Sequence, residues 1–129
     1  MNSELISAAV MARKYSYSPY SHYAVGAAVL TDRNEIYGGC NVENASYGLC
    51  NCGERTAIFK AVSEGAVKIR AIAIAAAGGA PYPCGACRQV ISEFAESPDM
   101  PVTVVTITDE GEKKEEFTLK ELLPYGFVL

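Results

Sequence analysis

The chain has 129 residues, of which 50% are hydrophobic and 20% are charged, and its formal net charge at pH 7 is −4. This composition excludes a disordered chain, and the length predicts one domain, residues 1–129, with a core of its own. The acidic balance, with an isoelectric point of about 5.0, argues against binding to a nucleic-acid backbone and favours a small, weakly charged substrate.

The amino-terminal part of the chain predicts a helix and then a hairpin. Ser3 can serve as an N-cap, and Pro19 lies in the polar segment that ends the helix. Residues 23–31 predict a strand, residues 32–35 a turn and residues 36–40 a second strand, which together form a hairpin. The positions that define the buried face of the helix are Leu5, Ala8, Ala9, Ala12 and Tyr15.

The rest of the chain alternates between predicted helices and strands. The apolar run at residues 69–77 indicates a strand that is covered on both faces of its sheet. A three-layer α/β/α sandwich follows, with a mixed central sheet of about five strands between helical layers. The predicted helices are residues 52–63, 84–96 and 118–123, and the predicted strands are residues 69–77, 102–108 and 113–117, the last as an edge strand.

Whether the cysteines form disulfides or bind a metal depends on the compartment in which the protein works. The N-terminus lacks the basic start and the apolar stretch of a signal peptide, and the longest apolar run is far shorter than the roughly 20 residues that span a bilayer. We therefore expect a cytoplasmic protein without a membrane segment, whose clustered cysteines are metal ligands rather than disulfides. The cysteines are Cys40, Cys50, Cys52, Cys84 and Cys87.

Two short motifs predict a zinc site. Cys84 and Cys87 form a Cys-x-x-Cys pair at one predicted helix start, and Cys52 begins another helix. Three thiolates can hold Zn²⁺ and leave its fourth tetrahedral position open for water. Glu54, two residues after Cys52, is suited to proton transfer at that water. A three-cysteine zinc with a non-ligand glutamate is the pattern of zinc deaminases, so the motifs indicate a zinc hydrolase that acts on a nucleobase.

Two other interpretations of the cysteines remain open from spacing alone. A closed structural zinc site would need a fourth protein ligand, for which Cys50, Cys40 and His22 are the candidates. A dithiol redox protein would use the Cys-x-x-Cys pair without a metal. We expect Cys50 to be a buried, inert thiol and His22 to be a surface or packing residue.

Several stretches of the sequence resemble cytidine deaminase. The resemblance runs nearly from end to end and is strongest to the small homotetrameric class of that family. The stretches that carry it are SPYS at 18–21, VGAA at 25–28, GCNVENASY at 39–47, CNCGERTA at 50–57, PCGACRQ at 83–89 and ELLP at 121–124.

The resemblance implies a reaction and a role for each matching residue. The reaction is the hydrolytic deamination of cytidine and deoxycytidine to uridine and deoxyuridine, with ammonia as the second product. One zinc per chain would be bound by Cys52, Cys84 and Cys87, and Glu54 would carry protons from water to N3 of the base and to the departing amine. The implied substrate contacts are Asn41 and Glu43 to the ribose, Tyr23 where relatives often place a phenylalanine against the nucleoside, and Phe127 toward a neighbouring subunit's base pocket.

Arg55 is a candidate for balancing the negative charge of the zinc site. Three thiolates outweigh Zn²⁺ by one negative charge, which weakens the ion as a Lewis acid. Arg55 is the nearest cation in sequence, and its guanidinium can donate hydrogen bonds to a thiolate while staying charged. We therefore expect it beside the ligands, although an exposed helix arginine would fit the spacing too.

Other functions stay open beside this one. Another deaminase could act on a nucleotide, an RNA adenosine or a nucleoside antibiotic, but the acidic charge and Glu43 disfavour a phosphorylated substrate. A non-catalytic, zinc-stabilised interaction module would show four protein ligands and no turnover. The partners expected here are a small nucleoside and further copies of the same chain, with neither nucleic acid nor membrane.

Overall fold

A computed structural model describes residues 2–129, which contain four α-helices and five β-strands. The helices are α1 (Ser3–Ala12), α2 (Gly53–Ser63), α3 (Gly85–Phe94) and α4 (Leu119–Leu122). The strands are β1 (Val25–Thr31), β2 (Ile36–Cys40), β3 (Ile69–Ala77), β4 (Pro101–Thr108) and β5 (Gly111–Thr118).

The five strands form one mixed sheet in the order β2-β1-β3-β4-β5. Strands β3 and β4 are parallel, and every other neighbouring pair is antiparallel. The parallel pair is joined by a crossover that contains α3, as parallel neighbours require. The mixed five-stranded sheet expected from the sequence is confirmed.

Helices cover both faces of this sheet. On one face, Leu5, Ile6 and Ala9 of α1 pack against alanines of β1 and β3. On the other face, Ala57, Ile58 and Ala61 of α2 and Ile91 of α3 pack against the alternate residues of the same strands, including Val29, Ile72 and Ile74. Since successive strand residues point to opposite faces, the two clusters lie in separate layers. The three-layer α/β/α arrangement is confirmed.

A glycine sets how closely α2 approaches the sheet. A Cβ on Gly39 of β2 would lie 2.4 Å from the backbone nitrogen of Ala57. Real side chains do not tolerate that separation, so glycine is required there. The close approach holds α2 against the sheet and fixes the start of the helix, where Cys52 and Glu54 lie.

Two predictions about the first helix were inaccurate, namely its N-cap and the burial of Tyr15. The N-cap of α1 is Asn2 rather than Ser3, because the Asn2 side chain accepts a hydrogen bond from Leu5 N at 3.0 Å. Tyr15 is 73% exposed rather than buried, since the chain tightens into a 3₁₀ turn at Arg13–Tyr15 and turns the ring outward. Ile6 takes a place on the buried face instead.

Strand β1 begins at Val25 rather than at residue 23. The backbone carbonyl of Tyr23 accepts a hydrogen bond from the Asn41 side chain, and that of Ala24 accepts one from Arg13. Side chains therefore occupy positions where a neighbouring strand would pair. Farther along, α3 ends at Phe94 rather than at residue 96, because Ala95 forms a bridge to Ile69 of β3.

Candidate active site

The sulfur atoms of Cys52, Cys84 and Cys87 converge on one point, all within 4.8 Å of one another. The Sγ atoms of Cys52 and Cys84 are 3.9 Å apart, and those of Cys84 and Cys87 are 3.3 Å apart. Ligand sulfurs of a tetrahedral zinc with Zn–S bonds of about 2.3 Å lie roughly 3.8 Å apart. The observed separations are close to that value, so the cluster has the size that a zinc ion requires.

Helix starts hold the three cysteines in place. Cys52 and Cys84 are the N-cap residues of α2 and α3, and Cys87 lies in the first turn of α3. The Cys84 sulfur accepts a hydrogen bond from the backbone N–H of Cys87 at 3.4 Å. The partial positive charge at a helix N-terminus favours thiolates, and two such ends meet at this cluster.

Arg88 supports the second cysteine pair from behind, a contact that the sequence did not reveal. Its Nε donates to the carbonyl of Pro83 at 2.7 Å, immediately before Cys84, and its Nη1 donates to the carbonyl of Leu122 at 2.8 Å. The side chain thereby joins the loop before Cys84, helix α3 and helix α4. The only advance signal was its place in the motif PCGACRQ.

Arg55 lies against the cluster. Its Nη2 donates to the Cys52 sulfur at 3.3 Å, and its buried Nε has no hydrogen-bond partner within residues 2–129. The thiol of Cys87 and then Arg55 stabilise a Cys52 thiolate and lower the Cys52 pKa to about 5, against the opposing effect of burial. The same contact with Cys52, reinforced by burial, raises the pKa of Cys87.

Glu54 is buried beside the cysteines, with 4% of its surface exposed. The pKa of its carboxyl is raised to about 7, chiefly by burial and to a smaller extent by the nearby charge of Cys52, against the opposing effect of hydrogen bonds to backbone and thiol groups. A carboxyl with a pKa near neutrality can both accept and release a proton at physiological pH. Its position and its pKa suit the proton-transfer role that the sequence predicts.

A pocket of about 320 Å³ opens beside the cluster. Such a volume lies at the small end of the range for ligand sites. Cys87 lies behind its wall and is buried. The lining residues predicted from the sequence as site residues are Tyr23, Asn41, Glu43, Cys52, Glu54 and Cys84. Those that the sequence did not single out include Ser21, Tyr47, Asn51, Pro81 and Tyr82, and Cys50, expected to be an inert thiol, lines the pocket too.

Asn41 and Glu43 also line the pocket, and their side chains are already hydrogen-bonded to the protein. The Asn41 amide accepts from Val25 N at 3.0 Å and from the Ser16 hydroxyl, and it donates to Tyr23 O at 2.8 Å. The Glu43 carboxylate accepts from the backbone N–H groups of Tyr20 and Ser21 and from the Ser21 hydroxyl. The Ser21 hydroxyl is the main cause that lowers the Glu43 pKa, so this carboxylate is ionised at neutral pH.

Phe127 lies outside the pocket of its own chain. Its side chain is 68% exposed, and its backbone carbonyl accepts a hydrogen bond from Gln89 at 3.2 Å. Its predicted contact with a neighbouring subunit stays a prediction.

The candidates for a fourth protein ligand do not join the cluster. Among residues 2–129, the group of Cys, His, Asp and Glu side chains close enough to hold a metal consists of Cys52, Cys84 and Cys87 alone. Cys50 is half-buried rather than buried, because it follows an exposed turn, and its sulfur pairs with the backbone of Asn44. His22 is exposed, as predicted. This arrangement favours an open zinc site over a closed structural one.

The fold and the three-cysteine cluster define a zinc-binding deaminase region, and comparison with known proteins agrees. The family described as "Cytidine and deoxycytidylate deaminase zinc-binding region" matches residues 1–111. This chain belongs to that family. It is 46% identical over 125 residues to the cytidine deaminase of Sporosarcina psychrophila, covering 96% of this chain and 89% of that protein. It is 47% identical over 124 residues to the cytidine deaminase of Halalkalibacterium halodurans, covering 95% and 91%.

Solved structures agree with the sequence comparison. The crystal structure of cytidine deaminase from Burkholderia pseudomallei superposes with a TM-score of 0.88 at 43% identity, covering 98% of this chain and 100% of that one. The cytidine deaminase structure from Mycobacterium tuberculosis gives a TM-score of 0.78 at 36% identity, covering 98% and 96%. No helix within residues 2–129 is long and apolar enough to cross a membrane.

Proposed function

We propose that this chain is a zinc-dependent cytidine deaminase that converts cytidine and deoxycytidine, with water, to uridine and deoxyuridine plus ammonia. Such a reaction belongs to pyrimidine salvage. The observation that carries the proposal is the convergence of three cysteine sulfurs within 4.8 Å, beside a buried glutamate, at one pocket. Relatives that carry the name cytidine deaminase match over nearly the whole chain.

The donor set fits one zinc ion per chain, bound by Cys52, Cys84 and Cys87. Three sulfurs at helix starts supply the soft ligands that zinc prefers, and no fourth protein ligand among residues 2–129 closes the site. A zinc ion bound there would lower the pKa of a water in the open position toward about 7 and so supply a nucleophile at neutral pH.

Glu54 performs the proton transfers in this proposal. Its carboxylate accepts a proton from the attacking water and delivers it to N3 of the base, while the water oxygen bonds to C4. Glu54 then takes the proton of the new C4 hydroxyl and transfers it to the amine, and the C4–N4 bond breaks as the C4 carbonyl forms, so that the amine leaves as ammonia. Burial keeps bulk water away from this carboxyl, and its pKa of about 7 allows both directions of transfer.

Other residues that line the same pocket recognise the sugar. Asn41 and Glu43 present hydrogen-bonding groups to the ribose, chiefly its 3′-hydroxyl, and the Tyr23 ring packs against the nucleoside. An ionised Glu43 repels a phosphate, which favours nucleosides over nucleotides. Binding energy from the sugar can lower the barrier at C4, so the free base should be a poor substrate.

The test measures zinc and ammonia together on the purified chain. One equivalent of zinc per chain and ammonia release from cytidine and deoxycytidine are expected, with much slower release from cytosine and cytidine monophosphate. Turnover of cytosine as efficient as that of cytidine would contradict the sugar contacts. Zinc without any nucleoside turnover would contradict the enzyme.

We also propose a cytoplasmic homotetramer in which Phe127 reaches a neighbouring subunit's pocket. Reducing conditions in the cytoplasm keep the ligand thiols available for metal. The carboxyl-terminal Phe127, Val128 and Leu129 are mostly exposed in the single chain, and burying each such side chain is worth roughly 1.5–3 kcal/mol. Light scattering should give four chains per particle, and removal of these three residues should weaken assembly or raise KM. A fully active monomer would contradict both parts.

A further inference from the structure

Tyr23 has a polar contact that the proposed stacking of its ring does not use. Its hydroxyl donates to the carbonyl oxygen of Gly79 at 2.8 Å. Gly79 belongs to the loop of residues 78–83, which runs from the end of β3 to Cys84 and supplies Pro81 and Tyr82 to the pocket wall. The bond therefore joins two segments, far apart in sequence, that both line the pocket.

The backbone of Tyr23 is fixed independently of this loop. Its carbonyl accepts from the Asn41 amide at 2.8 Å, and its N–H donates to the Ser21 hydroxyl at 3.1 Å. Burial raises the Tyr23 pKa, so the hydroxyl stays protonated and remains a donor at neutral pH. Tyr23 is thus an anchored group to which the loop can be attached.

The loop itself has few attachments in its first half. Gly78 adopts a left-handed conformation, with φ +89°, and a Cβ on Gly78 or Gly79 would meet no atom within 4 Å. The second half is held by Tyr82, whose hydroxyl donates to Glu115 at 2.9 Å and whose ring contacts Phe117 edge-on at 6.0 Å. The glycine half therefore depends on Tyr23.

We propose that Tyr23 is a positioning residue whose hydroxyl latches the loop of residues 78–83 and so sets the binding-competent shape of the nucleoside pocket. Without the latch, the loop would spend more time away from the pocket, and apparent affinity falls in proportion to the competent fraction. Catalysis after binding would change little, because Glu54 and the cysteines are positioned by α2 and α3.

The test replaces Tyr23 by Phe, which keeps the ring and removes one oxygen. The kinetic part rests on the proposed deaminase function, and the exchange part does not. We expect KM for cytidine to rise roughly two- to fivefold with kcat changed by less than about twofold, the scale of one neutral hydrogen bond open to water. Amide hydrogen exchange in the peptide spanning residues 78–84 should accelerate, because that method reports local opening. Zinc content should be unchanged.

Two further variants make the test specific. Tyr15→Phe removes one hydroxyl from an exposed ring that does not line the pocket and should leave both readouts unchanged. Gly79→Ala, added to Tyr23→Phe, should restore part of the lost affinity, because an alanine meets no neighbour there and restricts the unlatched loop.

The remaining outcomes overturn the proposal. Unchanged exchange with a raised KM would mean that the hydroxyl contacts the substrate directly, and faster exchange with an unchanged KM would mean that the loop does not shape binding. Loss of zinc would assign Tyr23 to the metal site instead. If the parent protein binds zinc but does not turn over cytidine, the proposed function fails, and an unchanged exchange rate in Tyr23→Phe would separately remove the latch.

Discussion

The two sides of the pocket are built in opposite ways. On the metal side, the sulfurs of Cys52, Cys84 and Cys87 contact one another, a helix N-terminus and Arg55. On what we call the sugar side, after its proposed role, Asn41 and Glu43 each accept or donate three hydrogen bonds within the protein. The sulfurs of the metal side need a cation to balance their charge, whereas the polar groups of the sugar side are already hydrogen-bonded within the chain.

This difference indicates where the pocket is preorganised and where it depends on a cofactor. Thiolates held close together repel one another, so the metal side gains stability from zinc, and metal binding is coupled there to folding and to proton release. The sugar side takes its shape from the backbone segment of residues 16–25, which the polar side chains hold in place. A substrate would meet oriented groups there without first ordering them.

Loss of one zinc ligand should have the largest effect on the protein, and it should act on the metal side alone. Cys84→Ala leaves two thiolates, which is too few for a stable zinc site, so zinc content, thermal stability and deamination should all collapse together. Elemental analysis and thermal unfolding measure the first two. Cys50→Ala is the matched control, because Cys50 lines the same pocket outside the cluster and should keep its zinc. Full zinc occupancy in Cys84→Ala would show that Cys84 is not a zinc ligand.

Glu54→Gln should separate chemistry from metal binding. The amide keeps the shape of the carboxyl but carries no transferable proton, so zinc should remain while kcat falls by at least about 10²–10⁴-fold. Single-turnover rates with cytidine, measured on protein of known zinc content, give the answer. Near-normal turnover would reduce Glu54 to a helix-start carboxylate favoured by the helix dipole.

The metal side was the more predictable of the two from sequence. Cysteines at two helix starts follow from apolar periodicity and from the Cys-x-x-Cys spacing, and the sheet follows from the β-branched and alanine-rich runs. The sugar side was less predictable, because residues 16–25 have no regular period and take their shape from distant side chains. The bonds of Ser21 to Glu43 and of Tyr23 to Gly79 join segments that only the fold brings together.

Finer errors have the same physical origin. Asn2 and Ser3 are both capable N-caps, and only the register of the helix against the sheet decides between them. Cysteine is usually a buried residue, but Cys50 follows an exposed 3₁₀ turn at Tyr47–Leu49, and the short sequence of that turn does not predict its exposure. The contact of Arg55 with Cys52, by contrast, was expected from charge balance and helical spacing.

Arg55→Gln should weaken the metal side without dismantling it. The guanidinium donates to Cys52 and offsets the excess negative charge of three thiolates, so its loss should cost about 10–100-fold in activity or metal affinity. The acid limb of the pH–rate profile should move to higher pH. Arg55→Lys, which retains the charge without the planar donors, should fall between the two proteins. An unchanged rate and profile would show that the helix N-termini balance the charge alone.

The smallest expected effect tests whether the sugar side is held by an ionised Glu43. The Ser21 hydroxyl is the main cause that lowers the Glu43 pKa, so it stabilises the folded state only while that carboxyl is charged. For a carboxyl of depressed pKa, this stability is present above its ordinary pKa of 4.5 and is lost as the pH falls through the lower folded-state value. Ser21→Ala should therefore lower the urea midpoint at pH 7, and the difference from the parent should shrink as the pH falls below 4.5.

A double-mutant cycle with Glu43→Gln identifies the carboxylate as the source of that pH dependence. With an uncharged amide at position 43, Ser21→Ala should lower stability by a smaller amount, and by the same amount at pH 7 as below pH 4.5. Any release of zinc in acid is common to all four proteins of the cycle and does not affect the difference. Ser21 also accepts a hydrogen bond from Tyr23 N at 3.1 Å, which does not depend on the charge of Glu43. A pH-independent cost in both backgrounds would therefore show that Ser21 holds the sugar side through Tyr23, and that Glu43 is oriented by the backbone N–H groups of residues 20 and 21 alone.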